Sequence, residues 1–392
     1  MTLPKFLANR YHRPINILEI FMFEKFIVPK DLIPTDPRFG VGPSLIPTEA
    51  LLELAQTGYE LLGTSHRREA VKNVVKEMQE GLKSYFNLPA DYEVVIGNGG
   101  ATLLWDMIGL GIVEKAPYHF VCGEFSDKWF RANKNIPWLS PEINKVDFGE
   151  GINPTDVPDF DLIACTLNET STGVMLSELP QVDKNTILAI DATSGAGQIK
   201  INFNKSDLYY FSPQKVFASE GGFYVAIMSP KAIERAQRIQ KDNARFIPES
   251  FKWSHAIENS RQNQTYNTPA ISTIFLLNEQ VKLMNKMGED AVVKEAQRKA
   301  KLVYDWAESK TYLSAFVKEE KFRSITVATI DLDDKFKAED LANVLRSQGL
   351  VYDIDAYRKL GRNQFRIGMF HNVTYENLEK LTKIIDLAID GN

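Results

Sequence analysis

The chain has 392 residues, of which 44% are hydrophobic and 25% are charged, a composition typical of a globular protein with a large core. Its formal net charge is −5, and its two cysteines, Cys122 and Cys165, supply neither a disulfide framework nor a metal-ligand cluster. Since it has no block of basic residues and no apolar run of membrane-spanning length, we expect a cytoplasmic protein with no nucleic-acid, membrane or metal partner.

The predicted elements begin after an irregular, proline-containing N-terminal arm over residues 1–37. We do not interpret this arm as a signal peptide, because Glu19 interrupts its apolar run and no small-residue cleavage site follows. Two helices are then predicted from apolar residues at helical spacing, over 48–62 and 70–86. The segment "YEVVIGNGGATLLWDMIGLGIV" predicts a strand, a glycine turn and an apolar helix.

Five further short apolar segments predict strands: "HFVCG", "FDLIACTL", "TILAID", "LYYFS" and "GFYVAIM". Several of them are separated by helix-sized connections, which is typical of a mainly parallel sheet covered on both faces. We therefore predict an α/β fold, with a large domain over 38–285 that contains a mainly parallel mixed sheet.

A second, smaller domain of α+β type is predicted over 286–392, reached through a linking helix at about 269–309. Its predicted strands are "SITVATIDL", "LVYDID" and "QFRIGMF", and its predicted helices are "KAEDLANVLRSQG" and "TYENLEKLTKIIDLAI".

Polar residues lie at or just beyond the ends of three successive predicted strands of the large domain: Asp191 ends its strand, and Thr170 and Lys215 lie in the segments that follow theirs. Ligands of open α/β sheets bind outside the carboxyl ends of the strands, so we expect these side chains to converge. Lysine is among the least often buried residues, yet Lys215 lies between two apolar strands. We expect this apolar setting to lower the pKa of its amine, which would let it act as a base.

These residues match the requirements of pyridoxal 5′-phosphate, which needs a lysine for covalent attachment, a carboxylate at its ring nitrogen and a phosphate site. The turn "GNGGAT" supplies the phosphate site, because N–H groups at a helix N-terminus bind phosphate. Taken alone, the same turn also fits a nicotinamide dinucleotide site, with Glu124 as the ribose-binding acid about twenty residues further on. A dehydrogenase and a non-catalytic scaffold therefore remain alternative hypotheses.

Six motifs in one order resemble the phosphoserine aminotransferase family: "GTSHR", "GNGGAT", "NETSTG", "IDATSGAG", "FSPQK" and "NQTYNTPAI". The similarity covers about residues 38–392 and is greatest to the form found in actinobacteria. It implies a class V aminotransferase of pyridoxal phosphate fold type I, acting in serine biosynthesis between O-phospho-L-serine and 2-oxoglutarate. The products would be 3-phosphohydroxypyruvate and L-glutamate, and phosphohydroxythreonine of pyridoxine biosynthesis is a further candidate substrate. The resemblance also implies a homodimer whose active sites are shared between the subunits.

The same resemblance assigns roles to individual residues. Lys215 and Asp191 would be catalytic. Cofactor binding would fall to Gly100, Ala101, Thr102, Phe125, Thr170, Asp191, Gln214 and Lys215, and to Asn267 and Thr268 of the other subunit. Trp129 is the alternative to Phe125 as the aromatic residue stacked on the cofactor. Substrate anions would be bound by His66, Arg67, Arg366, Arg358 and Lys359, with Arg362 as a further candidate.

Arg366 also has an argument independent of the resemblance. In "QFRIGMF" the apolar residues Phe365, Ile367 and Met369 share one face of a strand, so Arg366 points to the other face. A guanidinium there could bind a substrate carboxylate through two parallel hydrogen bonds.

Two other enzymes of the same fold remain possible. A cysteine desulfurase needs a nucleophilic cysteine on a mobile loop, whereas Cys165 falls within a predicted strand and Cys122 at the end of one. An aminotransferase of the serine/alanine–glyoxylate type would have no use for additional phosphate-binding cations.

Overall fold

The structure is a computed structural model that describes residues 27–154, 159–242 and 244–390. Its strands are β1 (Glu93–Asn98), β2 (Pro117–Val121), β3 (Glu142–Lys145), β4 (Leu162–Thr166), β5 (Asn168–Glu169), β6 (Val174–Met175), β7 (Ile187–Asp191), β8 (Leu208–Phe211), β9 (Phe223–Met228), β10 (Leu313–Ala315), β11 (Val327–Leu332) and β12 (Gln364–Gly368). Its helices are α1 (Thr48–Leu61), α2 (Glu69–Tyr85), α3 (Ala101–Gly111), α4 (Glu124–Lys134), α5 (Pro230–Gln240), α6 (Trp253–Ser260), α7 (Ile271–Met287), α8 (Glu289–Glu308), α9 (Ala338–Ser347) and α10 (Tyr375–Asp390). Within these described ranges no helix is both long and apolar enough to cross a membrane.

The large sheet has seven strands in the order β1-β9-β8-β7-β4-β2-β3. The pairs β8–β7, β7–β4, β4–β2 and β2–β3 are parallel, while β9 is antiparallel to both of its neighbours, β8 and β1. Every residue of β4, β7, β8 and β9 is buried. The prediction of a mainly parallel mixed sheet covered on both faces is therefore confirmed.

Helices cover this sheet on its two faces and form two separate apolar cores. On one face, α2 and α7 pack against the sheet through residues such as Val75, Leu82 and Leu277. On the other face, α3, α4, α5 and α6 contribute residues such as Leu104 and Trp253. The short, apolar and β-branched strands are stable here because both of their faces are removed from water.

The C-terminal part of the chain forms an antiparallel sheet in the order β10-β11-β12, which packs with α8, α9 and α10 around its own apolar core. The start of the described chain joins this unit. Phe39 belongs to its core, and Thr35 N donates a hydrogen bond of 3.0 Å to Asn377 Oδ1. Most of the predicted N-terminal arm, residues 1–26, lies outside the described residues.

The secondary structure differs from the sequence prediction in several places, and helices α4, α5 and α6 were not predicted individually. The single linking helix is two helices, α7 and α8, because Gly288 adopts a φ of +82° between them and ends α7. The segment "LVYDID" is not a strand, since Asp353 has a φ of +65° and only isolated bridges form at Tyr352 and Asp355. The short strands β3 and β10 were missed, because neither carries a continuous apolar pattern. The domain boundaries proposed from the sequence stay a prediction.

Candidate active site

A cavity of about 600 Å³ opens at the carboxyl end of the central strands of the large sheet. The walls come from the glycine turn before α3, the first turn of α4, the segment after β4, the end of β7 and the turn between β8 and β9. Thr170, Asp191 and Lys215 all line it, so the polar residues that follow three successive strands do converge.

Lys215 lies in the turn after β8 and is 9% exposed. Its Nζ donates a hydrogen bond of 2.8 Å to the carbonyl oxygen of Val41 and lies 3.5 Å from Thr170 Oγ1. Burial and then the nearby Arg366 lower the pKa of the Lys215 amine to about 8, although two carboxylates act in the opposite direction. A large fraction of this amine is therefore neutral at mildly alkaline pH and able to accept a proton.

The segment around Gly42 lies so close to the amine that a side chain at this position would displace it. A Cβ atom at Gly42 would lie 2.6 Å from Lys215 Nζ, and the φ of Gly42 is +135°. Ser44 holds this segment against the turn that carries the lysine. Its Oγ donates to Lys215 O at 2.5 Å, and its N–H donates to Gln214 O at 2.8 Å. Nothing in the sequence of the segment "RFGVGPS" indicates that this loop covers the lysine.

Asp191 ends β7 and is 5% exposed. Its Oδ1 accepts hydrogen bonds from Thr193 N at 3.0 Å and Thr193 Oγ1 at 2.6 Å, and its Oδ2 accepts one from Trp105 Nε1 at 3.2 Å. Burial raises the pKa of this carboxyl, while the hydrogen bonds from Thr193 and Trp105 act against the rise. In the described parts of the chain no lysine or arginine forms an ion pair with it, so a cationic ring nitrogen in the cavity would supply the missing partner.

The glycine turn before α3 has the geometry of an anion site. Gly99 and Gly100 have φ values of +119° and +78°, and Gly100 is the N-cap of α3. Ala101 and Thr102 begin the helix and line the cavity, where free N–H groups attract negative charge. Gln214 lies on the same wall, and its buried Oε1 has no hydrogen-bond partner among the described residues.

Of the two aromatic candidates, only Phe125 reaches the cavity. The centre of its ring lies 5.9 Å from Lys215 Nζ. Trp129 is 1% exposed and packs instead against Tyr210 in the core, at a centroid distance of 5.5 Å. The buried carboxylate of Glu169 orients the first turn of α4, since it accepts a hydrogen bond of 3.3 Å from Phe125 N.

The residues that line this cavity of about 600 Å³ fit pyridoxal 5′-phosphate. A buried amine, a buried carboxylate without a cation, an aromatic ring and a helix N-terminus surround one space, and these are the groups that the cofactor's aldehyde, ring nitrogen, ring face and phosphate require. A nicotinamide site fits less well. Among the residues that the structure describes, the strand before the glycine turn, β1, pairs only with the antiparallel β9, so the turn is not part of a parallel βαβ unit there.

A larger cavity of about 1410 Å³ adjoins the first one and shares Gly42 and Pro43 with it. Arg366 lines this second cavity, and its Nη1 donates a hydrogen bond of 3.3 Å to Thr170 O. The guanidinium carbon lies 5.2 Å from the centre of the Tyr357 ring, and the buried Nε has no partner among the described residues. Burial lowers the pKa of Arg366 to about 10, so the group is still charged at neutral pH and has a donor to offer.

The three cations near residue 360 all line the larger cavity but differ in their partners. Lys359 forms an ion pair with Glu124, and Arg362 Nη2 lies 2.7 Å from Asp331 Oδ2. The side chain of Arg358 has no hydrogen bond or ion pair with any residue that the structure describes. Because Glu124 already forms an ion pair with Lys359, it is not free to bind a ribose, as the dinucleotide hypothesis requires.

His66, Arg67, Asn267 and Thr268 line neither cavity. They form a surface patch, in which Thr268 Oγ1 lies 3.2 Å from His66 Nδ1 and Asn98 Nδ2 donates to the carbonyl oxygens of Asn267 and Thr268 at 3.2 and 3.0 Å. Arg67 donates to a neighbouring glutamine at 3.0 Å. Their predicted roles stay predictions, and they require a second subunit to bring this patch to a cavity.

Both cysteines belong to the apolar core of the large sheet and line neither cavity. Burial raises the pKa of the Cys122 thiol and of the Cys165 thiol above the ordinary value. A neutral, buried thiol is a poor nucleophile, which argues against the cysteine desulfurase hypothesis.

Comparison with known proteins agrees with this geometry. The profile of the family described as Aminotransferase class-V matches residues 150–354. The phosphoserine aminotransferase of Corynebacterium glutamicum (strain R) is 45% identical over 367 residues, which cover 93% of this chain and 97% of that protein. The corresponding protein of Rhodococcus opacus (strain B4) is 44% identical over 93% of this chain and 98% of its own.

A solved structure extends the similarity to the fold. The phosphoserine aminotransferase of Cytophaga hutchinsonii superposes with a TM-score of 0.83 at 26% identity, covering 90% of this chain and 99% of that one. The sequence motifs, the site geometry and these similarities agree. This chain therefore belongs to the class V aminotransferases, in the phosphoserine aminotransferase family.

Proposed function

We propose that this protein is a pyridoxal phosphate-dependent phosphoserine aminotransferase of the cytoplasm. It would transfer an amino group between O-phospho-L-serine and 2-oxoglutarate, giving 3-phosphohydroxypyruvate and L-glutamate, in serine biosynthesis. The observation that carries the proposal is the buried Lys215 amine, which faces a cavity it shares with the buried Asp191 carboxylate and an open helix N-terminus.

Seven residues would hold the cofactor in the smaller cavity. Lys215 would bind it covalently, Asp191 would keep its ring nitrogen protonated, and Phe125 would stack on its ring. The N–H groups of Ala101 and Thr102 would bind its phosphate, and Gln214 and Thr170 would donate or accept further hydrogen bonds. When bound, the cofactor supplies an electron sink for the charge that develops when the substrate Cα loses a proton.

Lys215 has the properties of the base that moves this proton. About half of its amine is neutral at pH 8, and the hydrogen bond to Val41 O gives it a fixed position. Beside a bound cofactor, the Lys215 amine would be placed to accept the proton that the substrate Cα loses and to donate it again later in the amino transfer. Asp191, buried without a cation, favours a protonated ring nitrogen throughout.

The larger cavity supports a substrate with two anionic groups. Arg366 has an unpaired Nε and would bind the substrate carboxylate. Arg358 and Lys359, on the same cavity wall, would bind the phosphate. An aminotransferase for serine or alanine would have no second anion for these cations, which favours the phosphorylated substrate over the glyoxylate-type alternative.

A homodimer with shared active sites is part of the proposal. It is supported by the surface patch of His66, Arg67, Asn267 and Thr268, which carries anion-binding groups but faces neither cavity of its own chain. In a dimer the patch of one subunit would reach the cofactor phosphate and the substrate of the other.

A panel of amino donors tests the substrate assignment. Glutamate formation from 2-oxoglutarate is measured with phosphoserine, serine and alanine at equal concentrations. Each unmade hydrogen bond to a charged group costs about 1.5–3 kcal/mol, so the loss of two should lower kcat/KM for serine by roughly 10²- to 10⁴-fold. Arg358→Ala is the matched variant, because it should reduce the use of phosphoserine but not that of serine. Equal use of serine and phosphoserine by the unmodified protein would contradict the assignment.

A further inference from the structure

The first turn of α4 carries one carboxylate that three cations surround. Glu124 Oε1 lies 3.6 Å from Lys128 Nζ and 3.5 Å from Arg131 Nη2, and it also pairs with Lys359 Nζ. Burial by itself would raise the pKa of the Glu124 carboxyl, but Lys359, Lys128 and Arg131 outweigh it and hold the pKa below its usual value. The group is therefore an ionised carboxylate at neutral pH.

The cluster lies between the two cavities. Glu124 directly precedes Phe125, which lines the smaller cavity, whereas Lys359 lines the larger one. Lys128 extends the same contact, since its Nζ lies 3.4 Å from Tyr357 Oη. The Tyr357 ring in turn lies beside Phe125, at a centroid distance of 5.9 Å. An anion that enters the larger cavity therefore arrives next to a cation that is already paired.

The exposure of the two partners makes this pair easy to open. The side chain of Lys359 is 59% exposed and that of Glu124 only 10%. An ion pair with an exposed partner contributes little to stability, and the flexible lysine side chain can change direction at low cost. When Lys359 leaves, Lys128 and Arg131 stay beside Glu124, so the buried carboxylate is not left without a counter-charge.

We propose that Lys359 is a recruitable cation, which Glu124 holds while the larger cavity is empty and which moves to the substrate phosphate when the cavity is filled. This inference rests on the proposed function and deepens it. Glu124 is then a specificity-determining residue, because every anion that enters must compete with its carboxylate for Lys359.

Competition of this kind favours phosphate over single carboxylates. A phosphate monoester carries about −1.5 to −2 charges at neutral pH and three acceptor oxygens, so it attracts Lys359 more strongly than Glu124 does. A substrate carboxylate carries the same charge as Glu124 and gains nothing from the exchange. Lys359, which would otherwise bind any acidic side chain of a substrate, is thereby reserved for a phosphorylated substrate.

The test measures the binding of inorganic phosphate to the holoenzyme, with the cofactor saturating so that its own phosphate site is filled. Isothermal titration calorimetry at constant ionic strength gives Kd for the unmodified protein, Glu124→Gln, Lys359→Met and the double variant. We expect Glu124→Gln to tighten phosphate binding about three- to tenfold, because Lys359 is released from its competitor. Lys359→Met should weaken it, and the double variant should show no gain over Lys359→Met alone.

Asp127→Asn is the matched control, because it removes the same charge from the same helix. Asp127 pairs with Arg131 at 2.8 Å and Lys145 at 2.9 Å, lacks any ion pair with Lys359 and lines neither cavity. Its Kd for phosphate should change less than twofold, and thermal unfolding should show that all variants are folded.

Three results would overturn the inference: weaker or unchanged phosphate binding in Glu124→Gln, an equal gain in Asp127→Asn, or a gain that persists without Lys359. The first result would mean that Glu124 is a positioning residue. The second would mean that the tighter phosphate binding is a general electrostatic effect. Because phosphate binding is measured without turnover, a failure here is distinguishable from a failure of the proposed function, which would appear as a lack of phosphoserine turnover in the unmodified protein.

Discussion

Gly42→Ala should disable the enzyme from a position that carries no functional group. The new Cβ would lie 2.6 Å from Lys215 Nζ, whereas ordinary van der Waals contact begins at 3.4 Å, so the amine must move by 3.4 − 2.6 = 0.8 Å or the loop must retreat. A displacement of about 1 Å in a catalytic arrangement can lower the rate about 10²-fold. The φ of +135° adds backbone strain of roughly 1–3 kcal/mol.

Gly288→Ala is the matched control that separates strain from displacement. Gly288 also has a positive φ, +82°, but a Cβ there would meet no atom within 4 Å, and it lines neither cavity. The assays are kcat/KM for phosphoserine and the midpoint of thermal unfolding. We expect both variants to lose stability and only Gly42→Ala to lose about a hundredfold in kcat/KM. If Gly42→Ala kept kcat/KM within about threefold of the unmodified protein, the close approach to Lys215 would have no catalytic meaning.

Further predictions concern the groups around the cofactor. Asp191→Asn keeps the shape of the side chain but loses its charge, and should lower kcat by about 10²-fold or more while equilibrium dialysis shows the cofactor retained. Arg366→Lys replaces a planar pair of donors by a single ammonium and should raise KM for phosphoserine about tenfold. Only the neutral Lys215 amine attacks the cofactor aldehyde, so stopped-flow absorbance should show that the rate of capture by the apoprotein rises with pH, with a midpoint near pH 8. Arg366→Gln should move this midpoint upward, because it removes a positive charge that lowers the lysine pKa. Alanine at both Asn267 and Thr268 should weaken cofactor retention, and mixing that variant with Lys215→Ala should restore activity through heterodimers with one complete site; no recovery would argue against shared active sites.

The residues at strand ends could be predicted because local sequence determines them. Asp191 and Lys215 follow short apolar strands, and the carboxyl ends of such strands meet at one edge of the sheet. The sequence also contains a signal for the break at Gly288, since the glycine in "NKMGED" is typical of a helix end. Because apolar residues recur at helical spacing on both sides of it, a single helix was predicted instead.

Contacts between distant parts of the chain could not be predicted in this way. Val41 O meets Lys215 Nζ across 174 residues of sequence, and Glu124 meets Lys359 across 235. Neither contact has a periodic or local pattern, because each joins segments that are far apart in the chain. The sequence therefore predicted Lys359 as a phosphate-binding cation, a role that stays a prediction, without showing that Glu124 already pairs with it.

Burial alone does not identify a cofactor-binding lysine. Lys299 is 1% exposed, and its Nζ donates to the carbonyl oxygens of Phe370 at 3.0 Å and Val373 at 2.9 Å. Burial lowers the pKa of Lys299 to about 8, as it does for Lys215. Lys299 lines neither cavity, so the neighbourhood of Asp191 and the glycine turn, rather than burial, distinguishes the proposed cofactor lysine.

This pair of lysines provides the most direct test of the account. Borohydride makes the bond between a lysine and pyridoxal phosphate permanent, and peptide mass mapping of the reduced holoenzyme then locates it. The account predicts one pyridoxyl group per chain, on the peptide that contains Lys215, and none on the peptide that contains Lys299. Attachment to Lys299 or to any other lysine, or no attachment at all, would contradict the assignment of Lys215 and the mechanism built on it.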